Sequence, residues 1–342
     1  MNGVEQRIGR VALSGGTEVA YATAGSGPVL LLLPGWVSHV ELDWALGPQR
    51  RFYEAIAPGR TLVRYDRPGN GLSGAAPEGA ELADLELEVI DAVADAVGAD
   101  QVDVVGTSLS SVFAVRWAAR HPERIRRLVL YGGWVDGARL GDPEAREHVL
   151  ELVGTHWGFG SEILTDIFAP GADAEFRAAF AALQRSAASA ETAHRVLAAA
   201  YAMDVSGDLG RVTTPTRVIH REGDRAVPVQ EGRRLAAGIA GAELTVLPGR
   251  AHIAYVGDVD AVVDAMRQGL GLSRSTARFA PLLTSRQLEV AALVADGCSN
   301  RQIAERLFIT ERTAESHVDR IRERLGLRSR AQLAVWYATS IR

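Results

Sequence analysis

The sequence predicts an α/β domain with a mostly parallel sheet and a helical lid, followed by a small all-α domain of four helices. Three observations carry this. Between residues 28 and 270, short leucine-rich or β-branched runs alternate with segments of helical period, as in a sheet covered by helices. The alternation stops between residues 136 and 208, where only helical segments occur, as for an insertion set over the ligand edge. From residue 282 onward every segment reads as helix and no strand pattern remains.

Taken in order, residues 8–13 and 18–23 read as a hairpin around Ser14-Gly-Gly-Thr17. Pro28-Val-Leu-Leu-Leu-Leu-Pro34 is apolar throughout, as expected of a strand buried on both faces, and Gly35-Trp36 follows at its carboxyl end. A strand at 60–65 ends in Asp66-Arg-Pro-Gly-Asn-Gly-Leu-Ser73. Its Gly69-Asn-Gly71 lacks the third glycine and the helix of a dinucleotide site, so it reads as turn chemistry. Residues 81–97 form an amphipathic helix with Leu85, Val89, Val93 and Val97 on one face. Strand 102–105, helix 109–120 and strand 125–131 continue the alternation. The lid, about 136–208, comprises helical segments at 143–153, 161–168, 173–185 and 191–203, with His156-Trp-Gly-Phe-Gly160 as an aromatic, hinge-like break. Strand 216–220, helix 229–239, strand 242–247 and helix 259–270 complete the first domain, residues 1–271. Residues 272–281 read as a linker and 282–342 as the second domain.

Composition describes an ordinary globular protein: 342 residues, 47% hydrophobic, 23% charged, net charge −5. The chain contains no Lys, so every fixed side-chain cation is Arg. Charge is unevenly spread, with 10 Arg against 7 acids from residue 282 onward and 27 against 35 before it. This predicts an acidic body carrying a basic module. The single cysteine, Cys298, excludes an intrachain disulfide and a cysteine-based metal site. No metal or cofactor motif occurs. The N-terminal residues lack the apolar stretch of a signal peptide, and no run approaches the roughly 20 apolar residues of a membrane span. The expectation is a cytoplasmic protein without membrane contact.

The chemistry centres on Val102-Asp-Val-Val-Gly-Thr-Ser-Leu-Ser-Ser111. A strand, an abrupt turn with Ser108 at its apex and a following helix lift a hydroxyl above the sheet edge, with the Leu109 amide facing the same space. Ser110 stands where this pattern has its second glycine, which predicts a helix set slightly further from the strand. A serine hydroxyl becomes a nucleophile when an imidazole takes its proton and a carboxylate orients that imidazole. Asp224, in a Gly-Asp-x-x-Val-Pro turn, and His252, after the last strand, both fall at the carboxyl edge. Asp136 is a second candidate acid without that turn context. His39, His121, His148, His156, His194 and His220 lack matching surroundings and read as surface or packing groups.

With the order Ser108, Asp224, His252, the Tyr-Asp-x-x-Gly-x-Gly-x-Ser turn and the Gly-x-x-His loop, residues 1 to about 270 resemble α/β-hydrolase-fold proteins. The resemblance implies Ser108, Asp224 and His252 as a catalytic triad, with an oxyanion hole made by the amides of Leu109 and Trp36. Where many members have His-Gly, this chain has Pro34-Gly35.

In the second domain, Thr284-Ser-Arg-Gln287 reads as a capping box opening a helix that Gly297 stops. Residues 300–307 form a short helix and Phe308-Ile-Thr310 a tight turn. Thr310 caps a longer helix to Leu325, and Ser329-Arg-Ala-Gln332 caps a fourth. In the long helix Ala314, Val318, Ile321 and Leu325 make the buried stripe. Leu-Thr-x-Arg-x-x-Glu-Val, Ser-Asn-x-x-Ile-Ala-x-x-Leu, Thr-x-x-Thr-Ala-Glu-x-His-Val and Arg-x-Arg-Leu-Gly-Leu-x-Ser-Arg run consecutively. Together they resemble the LuxR-type helix-turn-helix domain over its whole length. The resemblance implies that Glu315, Ser316 and Asp319 read bases, within a DNA-facing set that also holds Arg301, Thr310, Arg312, Thr313 and Arg320. Carboxylates cannot neutralise phosphate but can accept from cytosine N4, so Arg301, Arg312 and Arg320 carry the backbone attraction. Homodimerisation on DNA through residues 329–339 is implied by the same resemblance.

The expected function is a transcriptional regulator: an α/β-hydrolase-fold sensor with a helical lid, fused to a four-helix LuxR-type reader of operator DNA. The alternative is a working serine esterase or lactonase with an accessory DNA-binding domain, and a sensor that slowly hydrolyses its ligand lies between them. Trp36, Trp134, Trp157 and Phe159 near the expected pocket suggest a small, largely apolar ligand.

Overall fold

The computed structural model describes residues 5–275, 283, 285–325, 327 and 329–340, and the chain divides into two compact units, Met1–Thr276 and Ala277–Arg342. The first is built on one eight-stranded sheet. Its strands are β1 (Gln6–Ala12), β2 (Glu18–Gly25), β3 (Val29–Leu33), β4 (Thr61–Tyr65), β5 (Val102–Thr107), β6 (Ile125–Tyr131), β7 (Thr216–Arg221) and β8 (Glu243–Leu247). Their spatial order is β1-β2-β4-β3-β5-β6-β7-β8. The β1–β2 and β2–β4 pairs are antiparallel and all later pairs parallel. The central strands carry the apolar runs read from the sequence, and Leu31, Val63, Val104 and Leu130 are fully buried. Burying each such side chain contributes about 1.5–3 kcal/mol.

Helices α1 (Val40–Ala45), α2 (Gly47–Ile56), α3 (Leu82–Ala96) and α4 (Leu109–Arg120) fall between the first six strands. The sequence pattern announces no helix over residues 37–59. Gly47-Pro48 interrupts the apolar period there, yet Pro48 sits in the first turn of α2, where its missing N–H costs nothing. Strand β5 also runs two residues further than expected, pairing Gly106 with Leu130 and Thr107 with Tyr131. The sheet therefore reaches the residue before Ser108.

The lid consists of α5 (Pro143–Thr155), α6 (Trp157–Phe168), α7 (Ala174–Ala187) and α8 (Ala190–Ala202). The expected aromatic break over 156–160 is confined to His156, whose non-helical backbone ends α5 and precedes α6. Trp157 to Gly160 are helical, and the two helices pack closely here. A Cβ on Gly160 would lie 3.0 Å from the Val153 Cα, so this glycine serves close contact and not a hinge. Helices α9 (Val229–Gly238) and α10 (Val259–Gly269) complete the unit.

The second unit contains α11 (Ser285–Ala295), α12 (Asn300–Leu307), α13 (Glu311–Leu325) and α14 (Arg330–Ser340). Its core joins Val290, Val294, Ile303, Ala314, Val318 and Ile321, with Leu325 partly buried against them. Ser299 and Gln302 form a reciprocal capping box at the start of α12. The Ser329 hydroxyl accepts from the Gln332 amide at 3.2 Å, as the sequence predicts for the fourth helix. Thr284, expected to open α11, and part of the expected 272–281 linker lie outside the described residues. Among the described residues no helix is long and apolar enough to cross a membrane.

Candidate active site and nucleic-acid interface

Ser108 lies between β5 and α4 at φ 52°, ψ −125°, in the left-handed half of backbone space. A non-glycine residue held there stores about 1–3 kcal/mol, which the surrounding packing must maintain. The turn depends on Gly106: a Cβ there would lie 2.9 Å from Ser110 O, the Ser111 Cα and the Ala114 Cβ. Helix and strand are therefore tightly apposed despite Ser110. The expected displacement of α4 does not fit this close contact, because the Ser110 hydroxyl is absorbed into the backbone. Its Oγ accepts from the Thr107 amide at 2.9 Å, with the Leu33 and Thr107 carbonyls as acceptors at 3.1 and 2.9 Å.

The structure brings Ser108, His252 and Asp224 together. His252 Nε2 is 2.7 Å from Ser108 Oγ, and His252 Nδ1 is 2.8 Å from Asp224 Oδ2. The second Asp224 oxygen accepts from the Ala226 and Val227 amides at 2.9 and 3.1 Å. Burial pushes the Asp224 carboxyl up, but attraction to His252, the hydrogen bond between them and His220 outweigh it, so it lies below the usual carboxylate range. Asp136 is not part of this group. Its side chain caps Ala138 at 2.9 Å and pairs with Arg139 at 3.3 Å.

Several groups around the relay carry no motif in the sequence. His220 is fully buried beneath it, 3.8 Å from Asp224 Oδ2 and 2.9 Å from the Val227 carbonyl. Burial lowers its pKa, so the ring is a neutral donor to that carbonyl. The His252 amide donates to Phe168 O of the lid at 2.8 Å, and the two rings lie 5.6 Å apart. Arg221, also buried, donates to Ala251 O at 2.9 Å. The histidine loop is thus held from the sheet and from the lid.

Of the two amides expected to form an oxyanion hole, Leu109 and Trp36, the first has a partner within the chain. The Leu109 amide donates to Gly35 O at 3.2 Å, so it is engaged within the chain. In a planar trans peptide this carbonyl orientation turns the Trp36 N–H to the opposite side. The loop is fixed on either side of that peptide by fully buried Arg67, which donates to the carbonyls of Pro34 and Trp36 and pairs with Glu86 at 2.9 Å. In the sequence Arg67 is one of the unspecified positions of the Tyr-Asp-x-x-Gly-x-Gly-x-Ser turn, so no role marks it. The Trp36 indole donates to Gln184 Oε1 of α7 at 3.0 Å, and Gln184 Nε2 donates to Ser161 O and Thr165 Oγ1, both at 2.9 Å.

A cavity of roughly 340 Å³ opens beside Ser108 and His252. Trp36, Trp134, Phe168, Phe180, Leu183 and Leu197 supply apolar wall. Of the other expected aromatics, Trp157 donates to Ala188 O at 2.9 Å inside the lid and Phe159 is 65% exposed, so neither lines it.

In the second unit the residues expected to face DNA lie on α12, α13 and the turn between them. Arg301, Thr310, Arg312, Thr313, Glu315, Asp319 and Arg320 are exposed and Ser316 is half-buried. Thr310 Oγ1 accepts from the Thr313 amide at 3.1 Å, which fixes the start of α13. Asp319 pairs with Arg322 at 3.0 Å, and Arg301 lies 3.8 Å from Glu305.

Comparison with known proteins agrees with this division. Residues 28–158 match the alpha/beta hydrolase fold family and residues 281–337 match the luxR family of bacterial regulatory proteins. A 2-hydroxy-6-oxononadienedioate/2-hydroxy-6-oxononatrienedioate hydrolase from Klebsiella pneumoniae is 26% identical over 68% of this chain and 79% of its own. A 2-hydroxymuconate semialdehyde hydrolase from a Pseudomonas species is 29% identical over 70% of this chain and 85% of its own. The structure of a hydrolase from Pseudomonas aeruginosa superposes with a TM-score of 0.65 at 25% identity, covering 78% of this chain and 98% of that one. The chain is a fusion of an α/β-hydrolase-fold domain with a LuxR-type helix-turn-helix domain.

Proposed function

We propose that this protein is a transcriptional regulator whose hydrolase-fold domain receives a small, largely apolar carbonyl compound, and that Ser108, His252 and Asp224 act on it slowly. The observation that carries this reading is the pairing of a closely spaced Ser–His–Asp group with an amide, Leu109 N–H, already occupied by Gly35 O. Ser108 Oγ attacks the carbonyl carbon while its proton passes to His252 Nε2, and Asp224 stabilises the imidazolium. The new oxyanion needs a donor, so the Gly35–Trp36 peptide must turn before Leu109 N–H can serve. A single donor of this kind is worth about 10²–10³ in kcat, enough to separate holding a ligand from consuming it. His252 then returns the proton to the leaving oxygen, and water releases the acyl group by the same route.

The reader half uses Arg301, Arg312 and Arg320 on phosphates, with Thr310 and Thr313 at the helix start. Glu315 and Ser316 face base edges, whereas Asp319 is partly neutralised by Arg322. Dimerisation through 329–339 supplies the second half-site. An efficient serine esterase or lactonase is the second reading, favoured by the hydrolase relatives and by the spacings of 2.7 and 2.8 Å within the triad. The deciding experiment pairs fluorophosphonate labelling of Ser108 with operator capture. Labelling, slow turnover and ligand-sensitive DNA binding support regulation; turnover at ordinary esterase rates with ligand-indifferent DNA binding supports the second reading.

A further inference from the structure

The cavity beside Ser108 is not apolar throughout. Asp43, Gln49, Tyr53 and Arg64 contribute to its lining, and none is part of the triad. Arg64, on β4, is 5% exposed. Its Nη2 donates to Gln6 Oε1 at 2.6 Å and to Val40 O at 3.1 Å, and its guanidinium stacks 4.2 Å from the Tyr53 ring centre. Nη1 is 3.8 Å from Asp43 Oδ2 and makes no hydrogen bond. Gln49 Nε2 donates to Tyr53 OH at 2.7 Å, while Gln49 Oε1 is buried without a partner. Burial holds the Tyr53 phenol in its protonated form, so it keeps a proton to donate. Gln49 and Arg64, each with one buried side-chain atom that lacks a hydrogen bond, therefore line the same cavity beside Tyr53. Buried polar groups are normally satisfied, and these are placed to take a partner that a ligand brings.

Charge narrows the chemistry. The Arg64 guanidinium lies 3.8 Å from the Asp43 carboxyl. Burial pushes the Asp43 carboxyl up to about 7 even against the pull of Arg64, so a second carboxylate here would be poorly tolerated. A ligand cation would face Arg64. A group that both accepts and donates while remaining uncharged matches the unmet atoms.

We infer that this polar end of the cavity binds a hydroxyl, phenol or primary amide carried by the ligand at a distance from the carbonyl that meets Ser108. The inference rests on the reading that Ser108 faces a carbonyl ligand, and it narrows the ligand from apolar to one with a single neutral polar end. It also sets this pocket apart from one built for a diacid.

The test titrates full-length Ser108→Ala calorimetrically with four methyl esters of equal medium chain length, ending in methyl, hydroxyl, carboxamide or carboxylate. The hydroxyl and carboxamide esters should bind about tenfold more tightly than the methyl-terminated one, as expected for satisfying buried partners. Adding Gln49→Leu should bring that preference to within about twofold, with binding of the methyl-terminated ester retained. Tyr53→Phe provides a second, less disruptive variant with the same expected direction. Equal binding of hydroxyl and methyl esters, preference for the carboxylate, or no binding by any ester would overturn the inference. Fluorophosphonate labelling of wild-type Ser108 is measured separately. Labelling without the end-group preference removes this inference alone, whereas the preference without labelling removes the hydrolytic reading and leaves the subsite.

Discussion

The two units hold their candidate functional side chains in opposite ways. In the hydrolase-fold unit, the Asp224 side chain is 1% exposed and that of His252 4% exposed, and each is fixed by partners from separate strands and loops. In the helix-turn-helix unit, Arg312, Glu315 and Arg320 stand on an exposed helix face whose position depends on a small apolar core beneath it. Burial gives the first site a fixed geometry but makes it sensitive to every supporting contact. Exposure leaves the second tolerant of substitution, with each contact modest and screened by salt. A buried triad should fail abruptly when one member is removed, and an exposed reader should weaken by degrees.

The largest expected effect lies in the triad. Ser108→Ala or His252→Ala should lower any ester turnover by several powers of ten and abolish fluorophosphonate labelling, since triad members act as one unit. Labelling that persists in Ser108→Ala would show that another nucleophile reacts with the probe. The next effect tests what burial costs within the same unit. Asp43 has its pKa raised from 3.8 to about 7, chiefly by desolvation, so the folded chain binds its proton more tightly than the unfolded one. The native state loses that advantage as pH rises from the unfolded value through the folded one. Asp43→Asn cannot ionise, so its stability relative to wild type should increase over this window and level off above it. The shift sets an upper bound of ~4 kcal/mol. Denaturant midpoints of both proteins, measured well below, inside and above the window, give the difference, and a constant difference would mean that Asp43 titrates normally.

The third expected effect connects the two units. For a regulator the ligand must bind the DNA-competent and incompetent states unequally, because equal binding shifts nothing. A coupling of about 1–3 kcal/mol changes DNA affinity by about 5- to 150-fold, and DNA must change ligand affinity by the same factor. Titrating a bound ester into Ser108→Ala with and without operator measures the factor directly. Identical dissociation constants would favour the plain hydrolase reading.

Most of the fold is legible in the sequence because its signals are local. The apolar run of β3, the β-branched run of β5 and the helical period of α13 each announce themselves within a short stretch. The helix-turn-helix is contiguous, so one stretch carries its whole resemblance. Ser108, Asp224 and His252 are also legible, because each lies in a short turn whose residue types reflect its geometry. What escapes is held by long-range contacts. Arg67 closes on Pro34, Trp36 and Glu86 from a turn that looks ordinary. Gln184 meets Trp36 across 148 positions. His220 reads as a packing group and is one, but nothing in an isolated strand histidine says that its ring lies against Asp224. The occupied Leu109 amide is beyond sequence reasoning for a related reason: a peptide's orientation leaves no mark on residue type.

The smallest expected effect belongs to the exposed helix. Arg312 is exposed near the start of α13, the end at which the helix dipole favours an anion such as phosphate. Arg312→Ala should weaken binding to all DNA sequences by a similar factor and reduce the salt slope of log K by about 1, as for one lost phosphate contact. Glu315→Gln should act differently. It keeps the side chain's size, removes a charge that repels phosphate and replaces an acceptor suited to cytosine N4 with an amide suited to adenine. Overall affinity should rise slightly while the preferred base at one operator position changes. Competition binding at two salt concentrations, against a library randomised at each position, separates the two behaviours. If Arg312→Ala altered base preference and Glu315→Gln altered only the salt slope, the placement of α13 against the groove would have to be reversed.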